Sequence, residues 1–448
     1  MRALFTLGAK IRIDNCPWRL IRYFQAVFTL PNPRYEQARE NGRYTDEDPE
    51  LYFWEEHGPN SIVLPRGPVR FIWDKLKEEA IPEYREARLA FQSVPFSFKG
   101  KLRPYQEKAL SEAHKACFST LVVPTGGGKT VMALASIAER KQPAIVICHT
   151  KELLYQWRDR AMEFLGLKED EVGIVGDGHY TISPLTIALV QTARKHLKDL
   201  PRHFGYVIVD ECHRTPASTF SETVSAFPAW YSLGLSATPY RRDGLNKVIG
   251  WYCGWHRVKI DQAELADIGA VLRPRIVWRQ TPFTYWYEDD YQDMISSLVE
   301  DEQRNLLIAG DILKAAGQGR TCLVVSDRVK HLEALRAMTS HEVYGELLTG
   351  RTPRKKRMEI VESLRSGRLH LVFSTFSLIG EGFDCPGLDT LFLASPIKFS
   401  GRLIQTIGQV LRPTEGKQPL IYDYRDVEVG VLDYQAKGRA RVYERLAA

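Results

Sequence analysis

The chain has 448 residues, of which 44% are hydrophobic and 26% are charged. This length exceeds what one hydrophobic core supports, so we expect two or three domains, and the composition is ordinary for a soluble globular protein and excludes a disordered one. The net charge of +6 is compatible with a nucleic-acid partner but does not identify one, because many basic proteins bind no nucleic acid.

The cysteines and the apolar runs indicate the compartment. No C-x-x-C pair and no histidine cluster at zinc spacing is present, so the cysteines are typical of small core residues in a reducing environment. The N-terminus has no long apolar core, and no later run approaches membrane-spanning length. We therefore expect a soluble cytoplasmic protein with no membrane partner.

Residues before about position 99 are rich in Tyr, Phe, Trp and Pro, and turn-forming clusters interrupt their short apolar runs. This texture predicts a small separate α+β domain over residues 1–98. An ordinary small core with a solvated basic rim explains the region equally well as contact with DNA backbone and bases. The candidate DNA contacts are Arg22, Tyr23, Arg34, Tyr35, Arg66, Arg70 and Trp73.

From Leu102 onward, apolar runs alternate with helix-like segments, which favours parallel sheets covered on both faces. The first series of predicted strands covers residues 119–123, 144–148, 185–190, 206–209 and 233–235. The second series covers residues 321–325, 369–374, 390–394 and 420–422. Two α/β domains follow from these series, with domain boundaries at 99–262 and 263–448 and a join near 261–274.

The first strand of this series leads into a glycine-rich loop with the sequence Leu-Val-Val-Pro-Thr-Gly-Gly-Gly-Lys-Thr over 121–130. Glycines let backbone N–H groups turn onto phosphate oxygens, and the helix that follows points its positive end at the same place. Lys129 would contact the β- and γ-phosphates and Thr130 would hold Mg²⁺. The strict phosphate-loop pattern requires Gly where this chain has Val123, so a plain glycine turn is the alternative.

A second chemical signal follows the predicted strand 206–209, where Asp210 and Glu211 stand in sequence. Ligands of open α/β sheets bind at the carboxyl ends of parallel strands. Asp210 would hold Mg²⁺ through water, and Glu211 would orient or deprotonate an attacking water. An acidic pair after a strand is often only the start of a loop, but together with the loop before Lys129 it indicates ATP hydrolysis.

These segments resemble a superfamily-two helicase, and within that superfamily the XPB-like and phage UvsW-like branch, over almost all of 102–413. The segment 102–106 is similar to the adenine-reading motif, 147–157 to motif Ia, 210–213 to motif II and 236–239 to motif III. Residues 241–244 resemble an R-E-D element in which Arg replaces Glu. In the second domain, 374–384 looks like motif V, and 405–412 stands where the family has Q-x-x-G-R-x-x-R.

The resemblance implies a role for each matching residue. Catalysis would be carried by Lys129, Asp210, Glu211, Gln405 and Arg412. The nucleotide would be bound by Arg103, Gln106, Thr125, Gly126, Gly127, Gly128, Lys129, Thr130, Gly382 and Asp384, with Mg²⁺ at Thr130 and Asp210. DNA would be contacted by Thr150, Gln191, Thr192, Arg241, Arg242 and Thr375.

The implied architecture is two tandem RecA-like domains with parallel sheets, preceded by the small α+β N-terminal domain that engages DNA. The implied activity is an ATP- and Mg²⁺-dependent DNA helicase or translocase that acts as a monomer on forks and recombination junctions, and a phage origin in a bacterial host is compatible with it. The alternatives are an RNA helicase, an ATP-gated nucleic-acid-binding protein with weak hydrolysis, and a restriction-system motor that needs a nuclease partner.

The chain departs from the family at Gln409, which occupies the place of the first arginine of the last motif. An amide donates a hydrogen bond but brings no charge to a phosphate. Either Arg412 supplies the charge alone or turnover is impaired. We favour retained activity, because Lys129, Asp210 and Glu211 are all present.

Overall fold

The computed structural model describes residues 1–40, 42–213, 217–237, 244–288, 290–379, 385, 387–397, 400–414 and 416–447. The chain divides into two compact units, one formed by Met1–Val123 with Gly128–Lys259 and the other by Pro124–Gly127 with Ile260–Ala448. Across the described part of the chain, no helix has both the length and the apolar character needed to cross a membrane.

The N-terminal region of the first unit consists of short strands and helices: β1 Arg2–Leu7, β2 Ile11–Asp14, α1 Trp18–Val27, β3 Thr29–Pro31, α2 Pro33–Glu40, β4 Glu50–Tyr52, β5 Glu55–Glu56, β6 Ile62–Leu64, α3 Val69–Glu79 and β7 Ile81–Glu86. They form a sheet in the order β5-β6-β2-β1-β7, in which β1 and β7 are parallel, and a separate β3–β4 hairpin. Ala3, Phe5 and Leu7 alternate along β1 and are buried, which places one face of the sheet on a core.

The first unit continues with an α/β sheet built from α4 Pro104–Ala113, β8 Phe118–Val122, α5 Lys129–Arg140, β9 Ala144–Cys148, α6 Lys151–Leu165, β10 Val172–Gly176, β11 His179–Tyr180, β12 Leu185–Leu189, α7 Val190–Lys195, β13 Tyr206–Val209, α8 Ala217–Val224, β14 Tyr231–Ser236, α9 Asn246–Tyr252 and β15 His256–Lys259. The strand order is β11-β10-β12-β9-β13-β14-β8-β15. All neighbours are parallel except β10 and β11. Strands β8, β9, β12 and β13 are buried along their whole length, as continuous apolar strands of a covered parallel sheet are.

The second unit contains α10 Gln262–Asp267, β16 Arg275–Gln280, α11 Tyr291–Glu300, α12 Glu302–Gly317, β17 Cys322–Ser326, α13 Val329–Thr339, β18 Glu346–Leu348, α14 Arg354–Arg365, β19 Leu371–Thr375, α15 Phe376–Ile379, β20 Thr390–Leu393, α16 Ser400–Val410, β21 Leu420–Arg425 and α17 Gly430–Ala447. Its strands pair in parallel in the order β16-β21-β20-β17-β19-β18. The core of this sheet includes Val324, Phe373 and Phe392.

The predicted fold class is confirmed, and the predicted strand runs coincide with β8, β9, β12, β13 and β14 in the first unit and with β17, β19, β20 and β21 in the second. Strands β10, β11, β15, β16 and β18 are not among the predicted strands. Most of these are edge strands or carry polar residues, so their apolar runs are short or interrupted. The domain boundaries 1–98, 99–262 and 263–448 stay a prediction.

The N-terminal sheet and the first α/β sheet share one hydrophobic core. Trp251 at the end of α9 packs its ring 5.0 Å from Phe28 and 5.1 Å from Phe53, measured between ring centroids. The backbone N–H of Gly67 donates to the carbonyl of Trp251 at 2.8 Å. A Cβ at Gly67 would lie 2.0 Å from the carbonyl oxygen of Gly250, so only glycine fits at this contact.

Arg66 lies in the same contact region and is 1% exposed, so the hypothesis that it contacts DNA is wrong. Its guanidinium donates to the carbonyl of Ala229 at 2.9 Å and lies 4.6 Å from the centroid of the Phe118 ring. Burial and the nearby Arg88 lower the pKa of Arg66. The side chain therefore joins the N-terminal sheet to the α/β sheet instead of facing a ligand.

Candidate active site

The glycine-rich loop connects the end of β8 to the start of α5. Gly128 precedes the helix with φ of 86° and Gly126 has φ of 87°, both in the left-handed region that side chains other than glycine avoid. Lys129 and Thr130 are therefore the first residues of α5, where backbone N–H groups have no partner within the helix. This is the arrangement of a phosphate-binding helix N-terminus.

Gln106 approaches this loop from α4. It is buried, its side-chain oxygen accepts from the backbone N–H of Arg103 at 2.9 Å, and its side-chain nitrogen is 3.3 Å from the hydroxyl of Tyr105. A Cβ at Gly128 would lie 2.3 Å from that nitrogen, so the amide is packed directly against the loop. The structure thus brings Gln106 together with the loop, while Arg103 is exposed at the start of α4.

The acidic pair follows β13, and β14 separates β13 from β8 in the sheet. Lys129 Nζ lies 3.7 Å from Glu211 Oε1 and donates to the carbonyl of Val123 at 3.3 Å. The Lys129 ammonium is therefore shared between the strand end and the acidic pair. These three predicted residues, Lys129, Asp210 and Glu211, are brought to one place at the carboxyl ends of parallel strands.

Asp210 is held by neutral donors. The indole Nε1 of Trp157 donates to Asp210 Oδ2 at 2.8 Å, and the backbone N–H of Glu211 donates to Oδ1 at 2.9 Å. Burial and the adjacent Glu211 carboxylate raise the pKa of Asp210 to about 6, against the opposing effects of Trp157 and Lys129. A nearby cation would stabilise the ionised form of a carboxylate in this environment.

Glu211 is fixed by groups on both sides. Its backbone has φ of 46°, a left-handed conformation that is strained for a residue other than glycine and that clusters at active sites. His213 Nδ1 lies 3.3 Å from Glu211 Oε2 and 2.8 Å from the hydroxyl of Ser236. His149 Nε2 lies 3.2 Å from the carbonyl oxygen of Glu211. The backbone carbonyl and the carboxylate of Glu211 are therefore contacted by residues that follow different strands of the sheet.

These residues fit a divalent cation. Mg²⁺ is usually held through one or two protein oxygens together with substrate phosphates, and Asp210 and Thr130 offer a carboxylate and a hydroxyl for that purpose. The chemistry of the donor set supports the fit, because the buried Asp210 carboxylate accepts hydrogen bonds from the neutral N–H groups of Trp157 and Glu211. Asp210 and Thr130 would hold the ion, which would neutralise phosphate charge.

Two family models match the chain. The model described as "Type III restriction enzyme, res subunit" matches residues 99–241, and the model described as "Helicase conserved C-terminal domain" matches residues 304–414. The phage T5 protein named "Probable helicase D10" is 28% identical over 365 residues, which are 77% of this chain and 75% of that protein. The chain belongs to the superfamily 2 helicases. The helicase domains imply an ATP-dependent activity.

Further relatives place the helicase with XPB-like proteins, which confirms the predicted resemblance. "DNA 3′-5′ translocase XPB2" of Sulfurisphaera tokodaii is 23% identical over 389 residues, or 78% of this chain and 87% of that protein. "DNA 3′-5′ helicase XPB" of Kineococcus radiotolerans is 26% identical over 330 residues, or 70% of this chain and 57% of that protein. The helicase thus spans only part of some relatives.

A solved structure shares the fold. The Hef helicase domain of Pyrococcus furiosus matches with a TM-score of 0.51 at 15% identity, over 76% of the helicase and 98% of that chain. The crystal structure of T4 UvsW covers 100% of the helicase and 98% of its own chain, with a TM-score of 0.44 and 19% identity.

Three predicted DNA contacts follow strands β9 and β12 of the first α/β sheet. Thr150 caps α6, where its hydroxyl accepts from the backbone N–H of Leu153 at 3.3 Å. Gln191 and Thr192 lie on α7, and Gln191 is exposed. A cavity of about 430 Å³ collects exposed polar side chains around Gln191, and its lining consists of His149, Val190, Gln191, Arg194, Lys195, Thr219 and Glu222.

This cavity contains basic residues that the sequence did not single out. Arg194 and Lys195 line it, and Arg194 Nε lies 2.6 Å from the Glu222 carboxylate.

Trp157 belongs to the segment that is similar to motif Ia, and the sequence indicates no other role for it. Its hydrogen bond to Asp210 spans 53 positions. No local pattern signals such a contact, because the indole reaches Asp210 only through the packing of α6 on the sheet.

The remaining predicted residues divide into two groups. In the second unit, Thr375 ends β19 and is partly buried, and Arg412 follows α16 with its carbonyl accepting from Lys417 Nζ at 2.9 Å. Gln405 lies on α16, but its side chain is outside the described part of the structure. Also outside the described residues are Arg241, Arg242, Gly382 and Asp384.

Proposed function

We propose that this helicase is an ATP- and Mg²⁺-dependent DNA helicase or translocase that remodels branched DNA, such as forks and recombination junctions, in replication, recombination or repair inside the cell. The observation that carries the proposal is the meeting of Lys129, Asp210 and Glu211 at the carboxyl ends of β8 and β13. The proposal includes the domain boundaries 1–98, 99–262 and 263–448 and a monomer acting on DNA.

The geometry supports a specific use of Lys129. The Lys129 ammonium lies 3.7 Å from the Glu211 carboxylate. Phosphates bound at the start of α5 would attract this ammonium, and the loop N–H groups would hold the phosphate oxygens. Glu211, released from Lys129 and held by His213 at 3.3 Å, would then orient and deprotonate the attacking water.

The proposal assigns further roles on the strength of the motif matches in the sequence. Gln106 and Arg103 would contact the base of the nucleotide. Contacts with the phosphates would come from Thr125, Gly126 and Gly127. Gly382 and Asp384 would bind the nucleotide, and Gln405 and Arg412 would act in catalysis. DNA would be contacted by Thr150, Gln191, Thr192, Arg241, Arg242 and Thr375.

DNA as the substrate is supported by the relatives. The XPB-named relatives carry the words DNA 3′-5′ translocase or DNA 3′-5′ helicase in their names, so the proposal includes travel in the 3′-to-5′ direction. The branched substrate is supported only by the resemblance of the motifs to UvsW-like phage helicases. The basic cavity that contains Arg194 and Lys195 offers cations for phosphate contact, which suits a nucleic acid of either kind.

An RNA helicase is the second candidate. A protein of Acanthamoeba polyphaga mimivirus whose name describes an ATP-dependent RNA helicase is 24% identical over 405 residues, which are 86% of this chain. The two candidates are separated by the nucleic acid that stimulates ATP hydrolysis. We expect stimulation by DNA to exceed stimulation by RNA of the same sequence, and the reverse result would favour the RNA helicase.

The test measures phosphate release and strand separation on a Y-fork, a four-way junction and a blunt duplex, with ATP and with a non-hydrolysable analogue. Lys129→Ala should lower DNA-stimulated phosphate release by about 10²-fold or more, because it removes a charge that stabilises the transferred phosphate. Lys314→Ala, at an exposed position of α12 outside every motif, is the matched control and should retain full activity. Phosphate release that survives Lys129→Ala would refute the assignment of ATP hydrolysis to the site around Lys129, and equal activity on all three substrates would refute the preference for branched DNA.

A further inference from the structure

Aromatic rings line part of the surface where the N-terminal sheet meets the first α/β sheet. We call Trp18, Tyr23, Phe71 and Trp255 the aromatic track. Trp18 is 65% exposed, Tyr23 40% and Trp255 48%, although large aromatic side chains usually lie in cores. Phe71 lies between two of the exposed rings, with its centroid 6.4 Å from that of Tyr23 and 5.2 Å from that of Trp255.

Helix α1 presents the first part of the track. Its apolar residues Leu20, Ile21 and Phe24 are buried, so the opposite face of the helix points outward. That face carries Trp18, Arg19, Arg22 and Tyr23, all exposed. The spacing of four residues places Trp18 beside Arg22 and Arg19 beside Tyr23. Aromatic rings and guanidinium groups therefore alternate on one helix surface.

Cationic side chains lie close to the rings of the track. Helix α1 contains no Asp or Glu, and the Arg19 guanidinium lies 5.7 Å from the Trp18 ring centroid. Lys75 Nζ lies 5.9 Å from the Tyr23 ring centroid, although it also pairs with Glu78. At the other end of the track, Arg257 is exposed on the edge strand β15, next to Trp255. The nearby Asp74 lies 3.8 Å from Arg70 in an ion pair.

We propose that the aromatic track binds single-stranded DNA, with bases stacked on Trp18, Tyr23 and Trp255 and phosphates near Arg19, Arg22 and Arg257. Surfaces that bind unpaired strands combine cations for the backbone with rings for successive bases. A duplex keeps the faces of its bases stacked inside, so rings select the unpaired strand. Arg, Tyr and Trp are also enriched at protein interfaces, so the choice of a nucleic acid over a protein partner rests on the helicase family of the chain.

This inference rests on the proposed function for its choice of DNA, and it goes further by giving the N-terminal region a defined ligand. A helicase that separates strands produces unpaired strands, so a surface for one strand next to the first α/β sheet would hold a product of the reaction. The candidate DNA contacts Arg22 and Tyr23 belong to this surface, whereas Arg66 is buried.

The test measures binding of the full chain to a fluorescent 20-nucleotide oligo(dT) by anisotropy in the absence of ATP. Trp18→Ala, Tyr23→Ala and Trp255→Ala should each raise Kd by about fivefold to about a hundredfold, the range expected for the loss of one stacked base. Trp18→Phe should retain most of the affinity because it keeps a ring. Tyr44→Ala, at a ring that is 92% exposed and outside the track, is the matched control and should bind like the unchanged protein.

A second measurement separates stacking from charge. Arg19→Gln with Arg22→Gln should flatten the plot of log affinity against log salt concentration by about 1.4, since each phosphate contact on a single strand contributes about 0.7. The ring variants should leave this slope unchanged.

Three outcomes would overturn the proposal. Unchanged oligo(dT) affinity in Trp18→Ala and Tyr23→Ala, whose exposed positions tolerate truncation, would show that no base stacks there. An equal loss of affinity for a blunt 20-base-pair duplex would show that the track does not read unpaired bases, and tighter binding of oligo(U) would reassign it to RNA. Because binding is measured without ATP, failure of this test leaves the hydrolysis test unaffected, and the reverse also holds.

Discussion

Both α/β sheets bury a carboxylate directly after a parallel strand, and the two carboxylates have different partners. Asp426 follows β21, and its oxygens accept from Arg304 Nε at 2.7 Å and from the Thr281 hydroxyl at 2.6 Å. Asp210 follows β13 and accepts only from neutral N–H groups of Trp157 and Glu211. Within the residues that the structure describes, Asp210 makes no ion pair.

The different partners indicate different roles: the charge of Asp426 stabilises the fold, and the charge of Asp210 is available to a ligand. Arg304 is buried and also donates to the carbonyl of Ala394 at 2.7 Å, so the Arg304–Asp426 pair is satisfied inside the protein. Asp210 lies beside a second carboxylate, which raises its pKa to about 6 together with burial. Because Asp210 makes no ion pair within the described residues, its carboxylate can bind a cation that enters the site with the substrate.

The largest effect that would sharpen this comparison is on stability. Asp426→Ala leaves the Arg304 guanidinium buried without its carboxylate, and the free energy of unfolding should fall by about 3–5 kcal/mol in a urea titration. Asp210→Asn is the matched variant, because it removes a buried charge that has no ion pair. Its free energy of unfolding at pH 7.5 should stay equal or rise. Equal destabilisation by both changes would contradict the distinction between the two carboxylates.

The next effect is on pH dependence. The folded protein protonates Asp210 as pH falls through about 6, whereas the unfolded chain does so only near 3.8. The contribution of Asp210 to stability therefore rises as pH falls from about 6 towards 3.8 and is lost as pH rises through about 6. Bound Mg²⁺ needs the ionised carboxylate, so the proton and the metal compete for Asp210.

The Mg²⁺ concentration for half-maximal ATP hydrolysis should consequently rise by about tenfold for each pH unit below 6. Titrations of Mg²⁺ at pH 7.5, 6.5, 5.5 and 5.0 would measure this change. The Asp210→Asn variant should lose most of its ATP hydrolysis, and its Mg²⁺ requirement should no longer depend on pH. A constant Mg²⁺ requirement over this range would mean that Asp210 stays ionised and that its environment resembles that of Asp426.

The smallest expected effect concerns Gln409 on α16. The side chain is buried, and its Nε2 lies 3.5 Å from the carbonyl oxygen of Ile379. Gln409→Arg adds the charge that the family has at this position and should raise DNA-stimulated ATP hydrolysis several-fold. Gln409→Met, similar in size and uncharged, should not raise it. An unchanged or lower rate in Gln409→Arg would show that this position does not act on the phosphate.

Much of the α/β architecture could be predicted because continuous apolar runs such as those of β8, β9 and β13 mark buried parallel strands. The edge strand β15 escaped prediction because its His-Arg-Val-Lys sequence buries only Val258. The glycine loop and the acidic pair were visible because each is local in sequence. Their meeting at 3.7 Å depends on the strand order, which local patterns do not determine.

Long-range contacts account for what the sequence could not supply. Arg66 has the features of a surface cation, yet it donates to a carbonyl 163 positions away and is buried there. Trp157 has the features of a core residue of α6, yet its indole N–H determines the environment of Asp210. In both cases the partner of the polar group decides its role, and that partner is known only from the folded chain.

The tight contact of Gly67 with Gly250 and Trp251 has a mechanical consequence. Because the backbone at Gly67 packs against the end of α9 without room for one methyl group, we expect the N-terminal sheet and the first α/β sheet to move together. Single-stranded DNA bound at Trp18 would then move together with α5, the helix that begins at Lys129. The N-terminal region would move as one rigid body with the first α/β sheet, and not as a separate domain on a flexible linker.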